Sequence, residues 1–395
     1  MSMSMITRTA DLAEACARLA RHPYVAVDTE FLRETTYWPK LCVIQMAGPD
    51  TAVVIDALAP GLDMRPFLDL MANESVVKVF HAARQDIEII FRMGDFVPHP
   101  VFDTQVAAMV CGFGDSISYD QLVQRVSGES LDKSSRYTDW ARRPLSEKQM
   151  AYALSDVTHL RDVYHHLSKM LDAEGRTDWV AEEMEVLTSR DTYDVKPEHV
   201  WERLKMRVKK PIELLILKEL AAWREREARA RDVPRSRVLK DDAIYEIAGD
   251  QPADAAALAN LRSLSKGIER SRLGEDILAI VRKAQAVPRE ELPVVPRPKA
   301  IPEGTLAAVD LLKVLLKFVS EKHGVAAKVL ATVDDLEAIA LDDDADVPTL
   351  KGWRRQFFGD MALKLKHGQL ALTFDGKRVV VRDVEPRMAT PPKAR

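Results

Sequence analysis

Cysteine is scarce in this chain: its 395 residues contain three, Cys16, Cys42 and Cys111. None has a close cysteine neighbour in sequence. That argues against a disulfide framework or a zinc site, and for a reducing, cytoplasmic setting. All three read as small buried apolar residues. No apolar run approaches the ~20 residues that a membrane-spanning helix needs. Met1–Ala10 lacks a basic start followed by an apolar stretch, so no secretory signal and no membrane association are expected. Net positive charge is also missing: the formal charge is −4, which taken alone speaks against a polyanionic partner. What remains is 47% hydrophobic and 30% charged residues, with length enough for two or three domains that each bury a core.

Charge is unevenly spread. Residues 201–240 hold 13 Lys/Arg, from Arg203 to Lys240 and including Arg207, against 6 Asp/Glu, a local charge of +7. A basic module on an acidic chain fits a phosphate-binding accessory region.

The first part of the chain reads as mixed α and β. Tyr24–Val27, Leu41–Met46 and Ala52–Ile55 are short β-rich runs with breaks at Pro39, Gly48 and Pro49, a pattern that predicts an antiparallel meander. A helix near Met64–Met71, a strand Val76–Phe80, a helix from about Gln85 to Met93 and a strand Val101–Asp103 follow. Thr104–Ser168 reads as mainly helical. The expectation is a mixed sheet flanked by helices. Beyond residue 205, Ile212–Arg229, Asp241–Ala248, Asp254–Leu261 and Leu273–Lys283 predict a small all-α domain. Val287–Glu303 carries Pro288, Pro293, Pro296, Pro298 and Pro302 and reads as a stiff linker. A second helical unit spans Leu306–Glu321, Lys328–Leu330, Asp334–Ala340 and Trp353–Lys364, with Asp342–Asp346 as an exposed loop. Leu370–Val381 has the form of a hairpin turning at Asp375–Gly376.

Three carboxylate groupings stand out. Asp28 and Glu30 follow the strand Tyr24–Val27, and in extended chain residues two apart share a face. Side by side they repel unless a cation lies between them, and oxygen-only ligands suit Mg²⁺ or Mn²⁺. Asp86 falls in the first turn of a helix next to a sheet end, where the helix dipole alone would favour it. Tyr152 and Asp156 are four apart in a helical stretch and share one face. Each grouping by itself has an ordinary reading: a solvated strand end, a helix-start carboxylate, a core tyrosine.

The ordered set is more informative. "VAVDTEFLRETTYWPKLCVIQMA", then "VFHAARQDIEII", then "AYALSDVTHL" resemble the three exonuclease motifs of the DEDD superfamily, in the branch whose third motif carries tyrosine. Asp28-Thr29-Glu30-Phe31 through Tyr37-Trp38-Pro39-Lys40-Leu41 is similar to the ribonuclease D family in particular, over roughly residues 5–200. Trp223-Arg224, Pro234, Asp241-Asp242, Leu261 and Gly274 resemble an HRDC domain, a helical nucleic-acid-binding module. Residues ~304–370 look like a second, more divergent copy, with Trp353-Arg354-Arg355.

The resemblance implies a ribonuclease H-like catalytic domain at 1–204 and HRDC domains at 205–286 and 304–384; composition makes 287–303 a Pro-rich linker and 385–395 a Pro-rich, disordered tail. It implies a metal-dependent 3′→5′ exoribonuclease that releases nucleoside 5′-monophosphates, with transfer RNA precursors as substrate and no obligate protein partner. Two divalent ions ~4 Å apart would clamp the attacking and leaving oxygens. Asp28 would bridge them, Glu30 and Asp156 would complete the first, and Asp86 would support the second. Tyr152 would orient the attacking water; with a pKa ~10 it is a poor base at neutral pH. Phe31 and Leu32 are candidates to stack on or wedge the terminal base, and His81 to lie near it. Asp103 reads as a structural hydrogen-bond acceptor, and Lys133 and Arg136 as solvated charges that could reach phosphate. A DNA exonuclease would use the same chemistry. A non-catalytic nucleic-acid-binding scaffold would require loss of a carboxylate, and none is lost.

Overall fold

A computed structural model describes residues 5–132, 134, 135, 138–205, 208–296 and 302–384. Lys133, Arg136, Arg207, Pro298 and the tail from residue 385 lie outside the described residues.

The first unit opens with α1 (Thr9–Leu19), β1 (Tyr24–Leu32), β2 (Lys40–Ala47), β3 (Ala52–Asp56), α2 (Arg65–Ala72), β4 (Val77–Phe80), α3 (Arg84–Gly94) and β5 (Val101–Asp103). It continues through α4 (Thr104–Val110), α5 (Tyr119–Ser127), α6 (Glu147–Glu174) and α7 (Thr177–Leu187). The sheet order is β3-β2-β1-β4-β5, with β1, β2 and β3 antiparallel and β4 and β5 parallel to β1. The predicted meander and flanking helices are therefore present. One face of the sheet buries Val25, Val27, Ile44 and Ile55 against α1–α3, and the other packs Tyr24, Ala26 and Val79 on Val157 and Leu160 of α6.

Residues 104–168 are mainly helical, as read, through α4, α5 and the first part of α6, and between α5 and α6 Arg143 ties the chain to the sheet by donating to the Cys42 carbonyl at 2.9 Å and to Asp56. One expectation needs correction. Strand β1 does not stop at Val27 but runs to Leu32, because Asp28–Leu32 keep their ladder with β2. Cys16 and Cys42 are buried as expected, whereas Cys111 is partly exposed.

The second unit holds α8 (Pro211–Arg231), α9 (Arg235–Val238), α10 (Asp241–Asp250), α11 (Ala255–Ala259) and α12 (Arg272–Gln285). Its core of Leu217, Leu220, Ile244, Ile247, Ile277 and Val281 also receives Tyr37, from the loop between β1 and β2 of the first unit. The third comprises α13 (Thr305–His323), α14 (Ala327–Leu330), α15 (Val333–Leu341), α16 (Gly352–Arg354), a π turn at Arg355–Gly359, α17 (Asp360–Lys366) and a hairpin, β6 (Leu370–Phe374) and β7 (Val379–Asp383), turning through Gly376.

The two attachments differ in chemistry. The third unit shares an apolar core with the first: the Trp353 and Trp179 rings stack with centroids 4.2 Å apart and planes 2° apart. The backbones also meet, Ala326 N–H donating to the Met109 carbonyl at 2.8 Å. A side chain at Gly112, where φ is +79°, would collide with the Gly324 carbonyl. The second unit adds polar groups to the apolar docking of Tyr37. Asp232 accepts from the Tyr37 and Trp38 amides at 3.1 and 3.0 Å, and the Tyr37 hydroxyl enters an arginine–glutamate cluster.

Candidate active site

Strand β4 pairs with β1 along Tyr24–Ala26 and ends at Phe80, so among the described residues the end of β1 has no strand neighbour on that side. Ligands of open α/β sheets gather at such carboxyl ends. A cavity of about 600 Å³ opens here, lined by Asp28, Glu30, Phe31, His81, Gln85, Asp86, Tyr119, Tyr152 and Asp156 among others.

Each wall follows from local structure. Asp28 and Glu30 continue the face of Tyr24 and Ala26 that packs on α6. Helix α6 starts at a capping box, Ser146 with Gln149, and projects Tyr152 and Asp156 one turn apart toward that face. One carboxylate oxygen each from Asp28, Glu30 and Asp156 lies within 4.8 Å of the others. Asp86 arrives from α3, after Ala82 in the left-handed region (φ +58°) turns the chain out of β4. Asp103 holds that turn, accepting from the amides of Ala82 (3.0 Å), Ala83 (2.8 Å) and Gln105 (2.8 Å). Its expected structural role is thereby accounted for.

Two residues with no motif of their own finish the site. Thr29, between the two β1 carboxylates and facing the other way, donates from Oγ1 to Asp86 Oδ1 at 2.5 Å. Tyr119 donates its hydroxyl to the Asp156 backbone carbonyl. Sequence periodicity offered a signal only for Thr29, whose alternate facing follows from its place in β1.

His81 lines the cavity beside Tyr119, ring centroids 5.2 Å apart, with Nδ1 3.0 Å from Thr104 Oγ1 and Nε2 sealed from solvent. Phe31 and Leu32, paired as candidates for the terminal base, part company. A bulge shifts the β1–β2 register between Glu30 and Phe31, bringing Phe31 to the cavity. Leu32 packs instead with Cys42, Val43 and Trp140.

The electrostatics are strained in one direction. Burial and the neighbouring Asp156 push the Asp28 carboxyl well above the usual range. Burial and Asp28 do the same to Asp86. The Tyr152 hydroxyl, hydrogen-bonded to Asp156, is pushed up by burial and by Asp156, Glu30 and Asp28. Burial lowers His81 and so favours its neutral form. Converging carboxylates that raise one another are a donor set suited to a hard divalent cation.

Residues 3–172 match the family model described as a 3′-5′ exonuclease, and residues 213–281 match the HRDC domain. Among curated proteins, the chain is 61% identical to Ribonuclease D of Nitrobacter hamburgensis, over 96% of this chain and 99% of that one. It is 48% identical to Ribonuclease D of Bartonella henselae, over 95% and 93%. The crystal structure of Escherichia coli RNase D, described as an exoribonuclease involved in structured RNA processing, superposes with a TM-score of 0.82 at 29% identity, covering 93% of this chain and 99% of that chain. The catalytic core of RRP6 from Trypanosoma brucei shares the fold, with a TM-score of 0.53 at 22% identity over 72% of this chain and 80% of that one. Kinship along the whole length, with a carboxylate site fit for the divalent-metal chemistry of DEDD exonucleases, settles the family: this chain belongs to ribonuclease D, the 3′→5′ exoribonucleases that carry an HRDC module.

Proposed function

We propose that the cavity removes 3′-terminal nucleotides from RNA as nucleoside 5′-monophosphates using two divalent ions, Mg²⁺ or Mn²⁺, and that the 3′ ends of transfer RNA precursors are its substrate. The observation that carries this reading is the convergence of Asp28, Glu30 and Asp156 within 4.8 Å, beside Asp86, where burial and mutual repulsion oppose ionisation. Asp28, Glu30 and Asp156 would hold one ion, and Asp28 with Asp86 the other. Bound divalent ions lower the pKa of the attacking water and offset charge on the phosphate.

The protein's own groups set the geometry. Thr29 fixes the Asp86 carboxylate, and Tyr119 fixes the backbone at Asp156. Tyr152, held protonated by burial and its carboxylate neighbours, positions the attacking water and takes no proton from it. Phe31 offers its ring to the terminal base. His81 stands beside Tyr119 rather than reaching the substrate.

Transfer RNA precursors as substrate are in keeping with an E. coli relative described as processing structured RNA, and with an HRDC module beside the site. We take the domain limits as 1–204, 205–286 and 304–384, with a linker at 287–303; the separate core of the helices between Pro211 and Gln285 supports the middle unit. Work in the cytoplasm accords with three unpaired cysteines. Among the described residues no helix is long and apolar enough to cross a membrane.

The test is digestion of a 3′-extended transfer RNA and a sequence-matched DNA strand, with Mg²⁺ and with EDTA. Stepwise shortening of the RNA that EDTA abolishes is expected. Endonucleolytic fragments, EDTA-resistant cutting or preference for the DNA would contradict the reading.

A further inference from the structure

A second cavity, of about 900 Å³, lies between α3 of the exonuclease unit and α8 of the HRDC unit. It shares Gln85 with the catalytic cavity, and Gln85 adjoins Asp86, so the two cavities are neighbours. Seven arginines line it against three acidic residues, an excess of cationic groups on a chain whose net charge is −4.

Several of those arginines are already committed. Arg33 forms a bidentate pair with Glu88 at 2.6 and 2.9 Å. Arg229 and Arg235 neutralise the buried Glu225, and Arg226 pairs with Glu198 at 3.0 Å. Three remain. Arg84 and Arg203 are exposed and, among the described residues, have no carboxylate partner. Arg92 lies over the Trp38 ring, 4.2 Å from its centroid, a contact that leaves its guanidinium edge open. Arg84 stands two residues before Asp86, on the side nearest the carboxylates; Arg92 is two turns further along α3; Arg203 faces them from the segment leading into α8. Trp38 and Tyr193 add aromatic surface between the cationic groups. Uncommitted guanidinium groups spaced along a groove, with aromatic rings between them, suit a single-stranded phosphodiester backbone. A folded acidic protein surface would need carboxylate-sized pockets, and the arginines shaped for such pairing already hold Glu88 and Glu225.

We infer that this cleft is the track for the RNA strand lying 5′ of the nucleotides in the active site, with Arg84, Arg92 and Arg203 on phosphates spaced along it. The inference rests on the exoribonuclease reading above and extends it, giving the enzyme a preference for substrates long enough to leave the catalytic cavity. The HRDC unit supplies one wall of the cleft, so its polar attachment through Tyr37 and Asp232 fixes the groove's width.

The experiment compares Arg203→Ala and Arg92→Ala in the full chain with wild type, on a dinucleotide and on a single-stranded 12-nucleotide RNA, at several salt concentrations. Arg272→Ala, at an exposed arginine that opens α12 of the HRDC unit and does not line the cleft, is the control. For the longer RNA, KM should rise about tenfold per substitution, the size of losing one charge-assisted hydrogen bond, with kcat unchanged. The slope of log affinity against log salt should fall by about 0.7 for each lost single-strand contact. Dinucleotide kinetics should stay at wild-type values for both variants, and the control should match wild type throughout. Equal losses on both substrates, or unchanged KM and salt slope on the longer one, would overturn the inference. So would binding of a fluorescent polyaspartate peptide that the 12-nucleotide RNA fails to displace, which would mark an acidic-protein site. A wild type that digests neither substrate would instead remove the exoribonuclease reading.

Discussion

The Tyr37 hydroxyl donates to the Glu225 carboxylate, joining the loop after β1 to a glutamate side chain with no exposed surface in α8. Burial opposes an ionised Glu225, but Arg235, the Tyr37 hydroxyl and Arg229 outweigh it and hold the carboxyl below its usual range. The same β1 carries Asp28 and Glu30, so the cluster ties the HRDC unit to the strand that bears two carboxylates of the candidate site. Tyr37→Phe keeps the ring in its pocket and removes the hydroxyl's bond to Glu225 together with those it accepts from Arg229 and Arg235 at 3.1 and 3.0 Å; the bond to the charged acceptor alone is worth about 1.5–3 kcal/mol. A lower melting temperature and faster proteolysis between residues 190 and 210 are expected, with dinucleotide turnover retained. Unchanged melting and proteolysis would show that the apolar contacts of Tyr37 hold the unit alone.

The raised Asp28 and Asp86 carboxyls give stability a pH dependence. Their folded pKa values lie above the unfolded value of 3.8. Their contribution is therefore fully present below pH 3.8 and is lost as pH rises through the folded values. In EDTA, melting temperature should gain from acidification over that window, and the gain should shrink in Asp28→Asn. Mg²⁺ binds the deprotonated carboxylates, so its stabilisation should grow as pH rises. Calorimetry across pH with and without Mg²⁺ checks both signs. A Mg²⁺ effect that weakens with rising pH would contradict the assignment.

Tyr152→Phe separates a water-positioning hydroxyl from a core ring. The ring packs 6.0 Å from Trp140 and would remain there. Single-turnover hydrolysis should slow by about 10²–10⁴-fold, the usual effect of losing one positioned acid–base group, while Mg²⁺ binding and RNA affinity persist. A rate within about twofold of wild type, far inside the range for such groups, would leave only Asp156 as the contribution of that helix.

Much of this arrangement was legible in sequence because it depends on local periodicity. Two-residue alternation put Asp28 and Glu30 on one face, and four-residue spacing put Tyr152 and Asp156 on another; the fold turns these faces toward each other. The strand Val101–Asp103 was readable to the residue. What escaped depends on long-range pairing. Strand β1 continues to Leu32 only because β2 accompanies it, and the bulge that sends Phe31 to the cavity and Leu32 to the core is a property of that ladder. Tyr119 has no spacing relation to Asp156, 37 residues away, yet holds its carbonyl. Helices α1 and α7 carry no distinctive apolar run, and each becomes recognisable by the sheet or neighbouring unit it covers. Tyr37 reads as part of a motif, and its docking into another unit's core appears only once that unit is folded.

The central claim is that Asp28 is shared by both ions at the catalytic site. Asp28→Asn keeps the side chain's shape and removes its charge. Single-turnover digestion of a 3′-extended transfer RNA by this variant in saturating Mg²⁺, with RNA affinity and melting temperature measured on the same preparation, tests it most directly. The account expects hydrolysis to fall by about three orders of magnitude or more, since metal-centred charge stabilisation is worth several kcal/mol, while affinity and fold stay near wild type. Hydrolysis above about a tenth of the wild-type rate, a loss too small for that stabilisation, would contradict it.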